Sequence, residues 1–534
     1  MHGSAEHTTG SQTLPDPATG SGPPIPPRRA QLGDGSRAAL LGVFAATLAL
    51  AGSWNVSLWT DEAATIAGAR RTLPELWRML QNVDAVHGLY YLLMHFWIDL
   101  FGQSALSLRM PSALAIGAGT AGVYVLARRL DGRQLALWSA LVFVLLPRAT
   151  WAGMEARSFS FSAAAAVWLT VVLMVALQRA TAWWWAAYAA LAAAAIAFNL
   201  YLVLLLAAHA VTLLALREVS WRLRFSWVMA AGLGTLASAP VVYLSLRQGG
   251  QISDQDLGWT RWARNVVINQ WFLGDTPTTE PDGAGISQLW VISAVALAAL
   301  CWLLMAFALG RTLKSRRSGL LPRWFLWVVP QVLLPTLIIG CYSLLVHPMY
   351  NPRYLTFSTP AVAVLIGVGL WLLPHYWQRL AALVLIVLFT VPIYLSQRQV
   401  QAKSGADWVE AADFIGAYAR PGDGVYFSPR YPSPDATTRL TLRRIAVAYP
   451  KPFAGLRDLT ADIPGAADGT LDGSSNSLGR SLDRLERIDK VWVIRRVDYP
   501  AGFARADDRL LQDAGFHSTV VWTGSLNTIV EFTR

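Results

Sequence analysis

The sequence predicts a polytopic α-helical membrane protein with about eleven transmembrane helices and a small extracytoplasmic α/β domain at its C-terminal end. Three observations predict it. Of 534 residues, 54% are hydrophobic and only 14% charged, against about 45–50% and about 25% in soluble domains, and the mean hydropathy is +0.38. The apolar residues gather in runs near the twenty or so that a helix needs to cross a bilayer. Past residue 398 those runs stop, and the pattern becomes alternating helix and strand.

Residues 1–36 are rich in Pro, Gly, Ser and Thr ("TGSQTLPDPATGSGPPIPP") and bury too little apolar surface to order themselves, so a disordered cytoplasmic tail is expected. The next stretch resembles a signal peptide down to an A-x-A-like end. The long leader before it and the acids retained after it favour an uncleaved first span. A membrane domain over 37–398 then has candidate spans at 38–57, 110–128, 134–152, 158–178, 183–199, 200–217, 225–246, 287–310, 324–346, 354–373 and 380–397. The stretch 88–102 ("GLYYLLMHFWIDLFG") is short and carries His95 and Asp99, so it reads as an interfacial helix, with a second one at 73–82.

Charge supports leaving 88–102 out of the count. With Arg28, Arg29 and Arg37 in the cytoplasm, alternation puts "ARRLDGR", "REVSWRLR" and "GRTLKSRRSGLLPR" on the same side, as the positive-inside rule requires. Counting 88–102 as a span would reverse all three. The protein is therefore expected in the inner or plasma membrane, multi-pass, with residues 399–534 outside. In that last segment "ADWVEAADFIGAYARPGDGVYFSP" reads as helix, turn and strand. "RIDKVWVIRR" and "HSTVVWTGSLNTIVEFTR" read as strands, with helical patterns at 478–487 and 503–513. No catalytic motif or Gly-rich phosphate loop occurs there, and a lid or docking role is expected.

The net charge of +11 does not point to nucleic acid, because Lys and Arg lie in short clusters between apolar runs, where they act as topology signals. Cys301 and Cys341 both fall in apolar runs, which argues against a disulfide framework or a Cys metal site.

Sorting polar residues by side separates classes of function. The outer loops hold Asp61, Glu62, Arg70, Arg71, Asp84, His87, Tyr90, Tyr91 and Arg109, then Glu155 and Arg157, then His347, Tyr350, Arg353 and Tyr354. The spans are nearly free of charge, with His209 the main ionisable exception and readable as a hydrogen-bonded core residue. A secondary transporter tends to place ionisable groups near the bilayer midplane. A rim of carboxylates and arginines instead suits chemistry on a lipid head group. Guanidinium forks match phosphate bidentately, and a carboxylate takes the proton from an attacking hydroxyl.

The segments "WTDEAATIAGARR", "DAVHGLYYLLMHFWIDLFGQSALSLRMPSAL", "MEARSFSFS" and "NPRYLTFSTPAVAVL", in this order over about 38–375, resemble the C-type (GT-C) superfamily of membrane glycosyltransferases. They are most similar to the branch containing protein O-mannosyltransferases and lipid A aminoarabinose transferases. The Trp- and Ala-rich composition looks actinobacterial, a setting in which such enzymes build envelope mannans and arabinans. The resemblance implies a GT-C-like fold and inverting transfer from a polyprenyl-phosphate sugar on the outer face, to an envelope glycolipid, glycan or protein. By this analogy Asp61 is the base and Glu62 positions it or helps bind acceptor. His87, Arg109, Arg157 and Arg353 are candidates for donor phosphate contact. Glu155 and Tyr354 line the site, and Asp84, Tyr91, His347 and Tyr350 are further substrate-binding candidates. Where relatives often carry His-x-Pro or His-Pro-Pro, this chain has "HGLYY". Mannose is the first choice of sugar and arabinofuranose the second. No cofactor is expected. Asp61, Glu62 and Asp84 could hold a divalent cation, but their spacing is not diagnostic and no metal is assigned. A lipid-linked sugar flippase, betrayed by a polar midplane cavity, and a non-catalytic envelope sensor acting through its C-terminal domain are the competing classes.

Overall fold

The computed structural model describes residues 1–3, 33–249, 258–274, 286–314, 321–429 and 441–534. Most of the tail expected to be disordered, with Arg28 and Arg29, lies outside the described residues. The first helix, Asp34–Leu50, opens three residues earlier than the expected membrane domain. Asp34 fits there because an acid in the first turn faces the positive end of the helix dipole. It accepts from Tyr124 OH at 3.0 Å, Arg128 Nε at 2.9 Å and Arg133 Nε at 3.0 Å. At the other end of this helix Arg398 donates to the carbonyls of Ala49 (3.1 Å) and Ala51 (3.2 Å), where a cation is favoured.

The chain is a multi-pass membrane protein. Among the described residues seven helices are long and apolar enough to cross a membrane, eight when Trp221–Ala237 and Ala239–Arg247 are taken as one span bent by 52°. The gap from eleven has local causes. The 41-residue helix Ala105–Leu145 is two helices joined at Asp131 (φ −158°) and Gly132 (φ 84°), a backbone turn that glycine adopts without strain. It covers the expected spans 110–128 and, continued by the helix Pro147–Gly153, 134–152. Ala182–Phe198 and Leu200–Ala215 are apolar but shorter, and they coincide with 183–199 and 200–217. Each expected span therefore has its helix. The helix Gly88–Phe101 has 14 residues, roughly 21 Å at 1.5 Å per residue, too short to cross. Leu73–Asn82 is the second interfacial helix.

His209 is fully buried between Tyr188 OH (2.9 Å from Nδ1) and Thr170 Oγ1 (3.1 Å from Nε2), and Trp227 Nε1 donates to the same Tyr188 hydroxyl at 3.0 Å. These bonds tie four helices together. The arrangement fits a satisfied core histidine.

The C-terminal domain is a five-stranded mixed sheet, β1 (Gly424–Phe427), β2 (Arg457–Asp458), β3 (Lys490–Arg496), β4 (His517–Thr523) and β5 (Asn527–Thr533), in the order β2-β1-β3-β5-β4. β1 is parallel to β2 and β3, and β5 is antiparallel to β3 and β4. The helices Trp408–Tyr418 and Ala501–Asp513 match the expected patterns. The helical pattern at 478–487 does not give a helix. It forms two 3-10 turns, Leu478–Arg480 and Leu482–Leu485, because Ser481 leaves the helical region (φ −115°). Leu478 and Leu485 are buried all the same.

Candidate active site

Asp61 and Glu62 sit in the first turn of the helix Thr60–Ala69, just past the first span. Residues one apart on a helix point about 100° apart, so the two neighbours face different surroundings. The Asp61 side chain is 27% exposed and lies between two guanidinium groups, Arg353 Nη1 at 2.8 Å from Oδ2 and Arg157 Nη2 at 3.4 Å from Oδ1. Burial works to raise the Asp61 pKa, but Arg157 and Arg353, with His87, outweigh it and hold the carboxyl at about 2.

The arginines are themselves positioned. Thr65 Oγ1 donates to Ala156 O at 2.9 Å, and Ala156 N donates to Glu62 Oε1 at 3.1 Å. The helix that carries Asp61 thus clamps the residue next to Arg157. Arg157 Nη1 donates to Tyr91 OH at 2.9 Å, and that hydroxyl donates to Asp84 Oδ2 at 2.8 Å. Gly68 admits the Tyr91 ring, since a Cβ there would meet it at 2.8 Å. Burial pushes the Tyr91 phenol well above its ordinary range, so it stays protonated and can serve both partners. Asp84 takes left-handed backbone (φ 57°), which Asp tolerates better than most residues. The His87 ring lies 5.8 Å from that of Tyr91. Burial, then Arg157, lowers its pKa to about 4, leaving a neutral imidazole at pH 7. Arg353 is the second residue of the 3-10 segment Pro352–Ser358, capped by Asn351 Oδ1 (3.2 Å from Arg353 N), and its guanidinium sits 5.4 Å from the Trp59 ring.

Glu62 points the other way, into a closed ionic cluster. Its side chain is 0% exposed, with Arg109 Nε at 2.8 Å and Nη2 at 2.6 Å, and Lys403 Nζ at 2.8 Å. Lys403 also reaches Glu155 Oε2 at 2.9 Å, and Trp59 Nε1 donates to Glu155 Oε1 at 2.6 Å. Arg109 spends its remaining donors on the carbonyls of Ser53, Val56 (2.9 Å) and Ser57 (3.2 Å). Two expectations are corrected here, the substrate contacts of Arg109 and Glu155, while Glu62 keeps the positioning half of its expected role. Arg109 is fully buried and committed to Glu62 and backbone, so it is not placed to meet a phosphate. Glu62 and Glu155 are likewise 0% exposed and face each other through Lys403 instead of a substrate. Their part is to fix the helix Thr60–Ala69 against the loop 154–158, which brings Asp61 to Arg157.

In this cluster Glu62, gripped by the Arg109 fork, is the ionised carboxylate. Glu155 is pushed up to about 7 by burial and by the charge of Glu62, against the pull of Lys403. The raised value has a sign that can be tested. Below about pH 4.5 Glu155 is protonated in both folded and unfolded chains. Between there and about 7 only the folded chain keeps the proton, so stability falls as pH rises through this window. Glu155→Gln is expected to flatten that fall and to raise the melting temperature at pH 7.5 by about 2–4 °C, read by a thermal-shift series in detergent. An unchanged pH slope would show Glu155 ionised throughout.

Of the rest of the third group, Tyr354 stays within electrostatic range of Arg353, Asp61, Arg157 and Asp84. Tyr350 OH donates to Gln270 Oε1 at 2.8 Å, away from Asp61, and His347 lies half-buried at the start of the same loop. The Tyr354 ring stacks on Tyr201 with centroids 5.4 Å apart. Asp61, Asp84, His87, Tyr91, Arg157 and Arg353 are thus drawn together at the end of the bundle opposite Asp34. Among the described residues no three His, Cys, Asp or Glu side chains gather as a cation site. Lys403 was not anticipated. In "QAKSGAD" it looks like any polar residue of a linker, and nothing local signals its burial.

Part of the chain resembles a known family. Residues 88–244 match the family model described as dolichyl-phosphate-mannose-protein mannosyltransferase. No curated protein matches the chain in sequence. Among solved structures, apo ArnT from Cupriavidus metallidurans is 13% identical, with 93% of this chain and 98% of that one covered and a TM-score of 0.49. The oligosaccharyltransferase AglB from Archaeoglobus fulgidus, in complex with an inhibitory peptide and a dolichol-phosphate, is 12% identical over 93% of this chain and 74% of that one, with a TM-score of 0.45. The arabinofuranosyltransferase AftD from Mycobacteria is 18% identical over 92% and 40%, with a TM-score of 0.46. The matched residues, under a third of the chain, take in Gly88–Tyr91 and the "MEARSFSFS" segment, both of which contribute to the site around Asp61.

Proposed function

We propose that the protein transfers one sugar, with inversion, from a polyprenyl-phosphate donor to an envelope glycolipid, glycan or protein on the outer face of the membrane. The observation that carries this reading is the Asp61 carboxylate held between Arg353 and Arg157. The end of the bundle bearing Asp34, Arg128 and Arg133 is then cytoplasmic, by the positive-inside rule, and the C-terminal domain is outside.

A carboxyl held at about 2 is a poor base, so the pairing must change during turnover. A donor phosphate competes for both guanidinium groups. As they turn to it, Asp61 loses the charges that depress its pKa and becomes a competent proton acceptor. Asp61 then takes the proton of the acceptor hydroxyl while the hydroxyl oxygen bonds to the anomeric carbon. The carbon–oxygen bond to phosphate breaks with inversion. Polyprenyl phosphate leaves with one more negative charge, which Arg353 and Arg157 stabilise. Neutral His87 adds no competing positive charge. Donor therefore binds before acceptor.

The test is to incubate purified protein with radiolabelled polyprenyl-phosphate mannose or arabinofuranose and a crude envelope lipid fraction. Labelled glycan or glycolipid from the mannose donor is the expected product. Product from the arabinofuranose donor alone would change the sugar, and none from either would overturn the reading.

A further inference from the structure

The C-terminal domain reaches the site itself. Its short helix Arg444–Ala448 packs on the helix Thr60–Ala69 that carries Asp61, and Tyr449 OH accepts from Leu58 N at 2.8 Å. Just beyond the far end of that helix, Arg71 donates to the carbonyls of Thr470 and Leu471, the latter at 3.2 Å. This fixes the turn bearing Asp472. Asp472 grips Arg444 with both oxygens, Oδ1 at 2.6 Å from Nε and Oδ2 at 2.5 Å from Nη2. The two side chains keep 15% and 20% of their surface open. Burial would lower the Arg444 pKa, but Asp472 first, and beyond it Asp84 and Asp61, raise it, so the guanidinium lies within electrostatic range of the carboxylates of the first loop.

We propose that Arg444 and Asp472 bind a hydroxyl-bearing sugar unit of the acceptor and present its hydroxyl to Asp61. This rests on the glycosyl-transfer reading above. Level and charge both favour acceptor over donor. Arg157 and Arg353 sit at the mouths of the spans Phe159–Arg179 and Pro352–Trp371, the depth of a lipid head group, whereas Arg444 belongs to the domain on the water side. Its charge is already balanced by Asp472, which suits neutral hydroxyls better than a phosphate. A guanidinium–carboxylate pair also offers donors and acceptors in one plane, the complement of adjacent sugar hydroxyls.

The experiment titrates the envelope lipid acceptor fraction at saturating polyprenyl-phosphate sugar, and then the reverse, for wild type, Arg444→Lys and Asp472→Asn. Loss of hydrogen bonds to a charged group predicts that half-saturation for acceptor rises roughly tenfold or more, while donor KM stays unchanged. Arg444→Lys keeps the charge but not the fork, so a role in docking alone would leave acceptor half-saturation within twofold and overturn the proposal. So would a rise in donor KM alone. Arg444→Ala, with hydrogen exchange of residues 60–69 as a docking monitor, separates a loosened domain from a lost contact: raised half-saturation with unchanged exchange supports recognition, and unchanged half-saturation refutes it. The Asp61→Asn variant distinguishes the two levels. Normal transfer there removes the base assignment, absence of product from wild type removes the glycosyl-transfer reading, and loss of transfer in Asp61→Asn with wild-type saturation in Arg444→Lys removes only the acceptor assignment.

Discussion

Asp61→Asn is expected to lower sugar transfer by roughly 10²–10⁴-fold, the usual contribution of a positioned general base, while the protein still folds and inserts. The substitution keeps the shape of the side chain and removes only its charge. The pair is only partly open to water, with Asp61 27%, Arg353 25% and Arg157 7% exposed, so losing the charge costs about 1–3 kcal/mol and lowers the yield of folded protein without abolishing it. Initial rates with labelled donor, normalised to folded protein by size-exclusion yield, check it. Near-normal transfer would show that Asp61 is not the base.

Arg109→Met should do the reverse, unfolding the protein without revealing a role in donor binding. Breaking a buried pair strands its partner's charge, at a cost of about 3–5 kcal/mol. Here Glu62, fully buried, keeps Lys403 at 2.8 Å but loses both bonds to the guanidinium fork, and three backbone carbonyls lose their donor as well. The expected result is a sharp loss of folded protein from membranes. The double variant Glu62→Met with Arg109→Met should regain part of it, because no buried charge is left alone at that point and Lys403 still has Glu155 at 2.9 Å. A folded Arg109→Met protein with only a raised donor KM would restore the phosphate-contact role that the sequence suggested.

The contrast between Asp61 and Glu62 marks where sequence reasoning reaches its limit. Membrane spans follow from composition, and charge clusters fix which loops share a side, so the sequence alone assigns Asp61, Arg157 and Arg353 to one rim. Two adjacent acids carry no such label. Which one faces Arg157 and Arg353 depends on the rotation of the helix Thr60–Ala69, and the partners that hold Glu62 on the other side are Arg109, Ala156 and Lys403, the last some 340 residues further on. Arg109 and Glu155 were misread for the same reason: a charge at the rim looks identical whether it faces water or a buried counter-ion. The break at Asp131 and Gly132 was legible as a loop because a glycine follows a run of basic residues. Arg444 was not legible at all, since a basic residue in a small domain acquires meaning only when that domain lands on Asp61's helix.

The central claim is that a phosphate draws Arg157 and Arg353 away from Asp61, and direct binding of polyprenyl phosphate tests it. Titration into detergent-solubilised protein can be followed by tryptophan fluorescence, since Trp59 lies beside Arg353. Arg353→Ala should weaken binding roughly tenfold or more, as expected for a lost charge-assisted hydrogen bond. Asp61→Asn should bind at least as tightly as wild type, because the carboxylate competing for the arginines is gone. Equal affinity in wild type and Arg353→Ala, or a large loss of affinity in Asp61→Asn, would contradict the account.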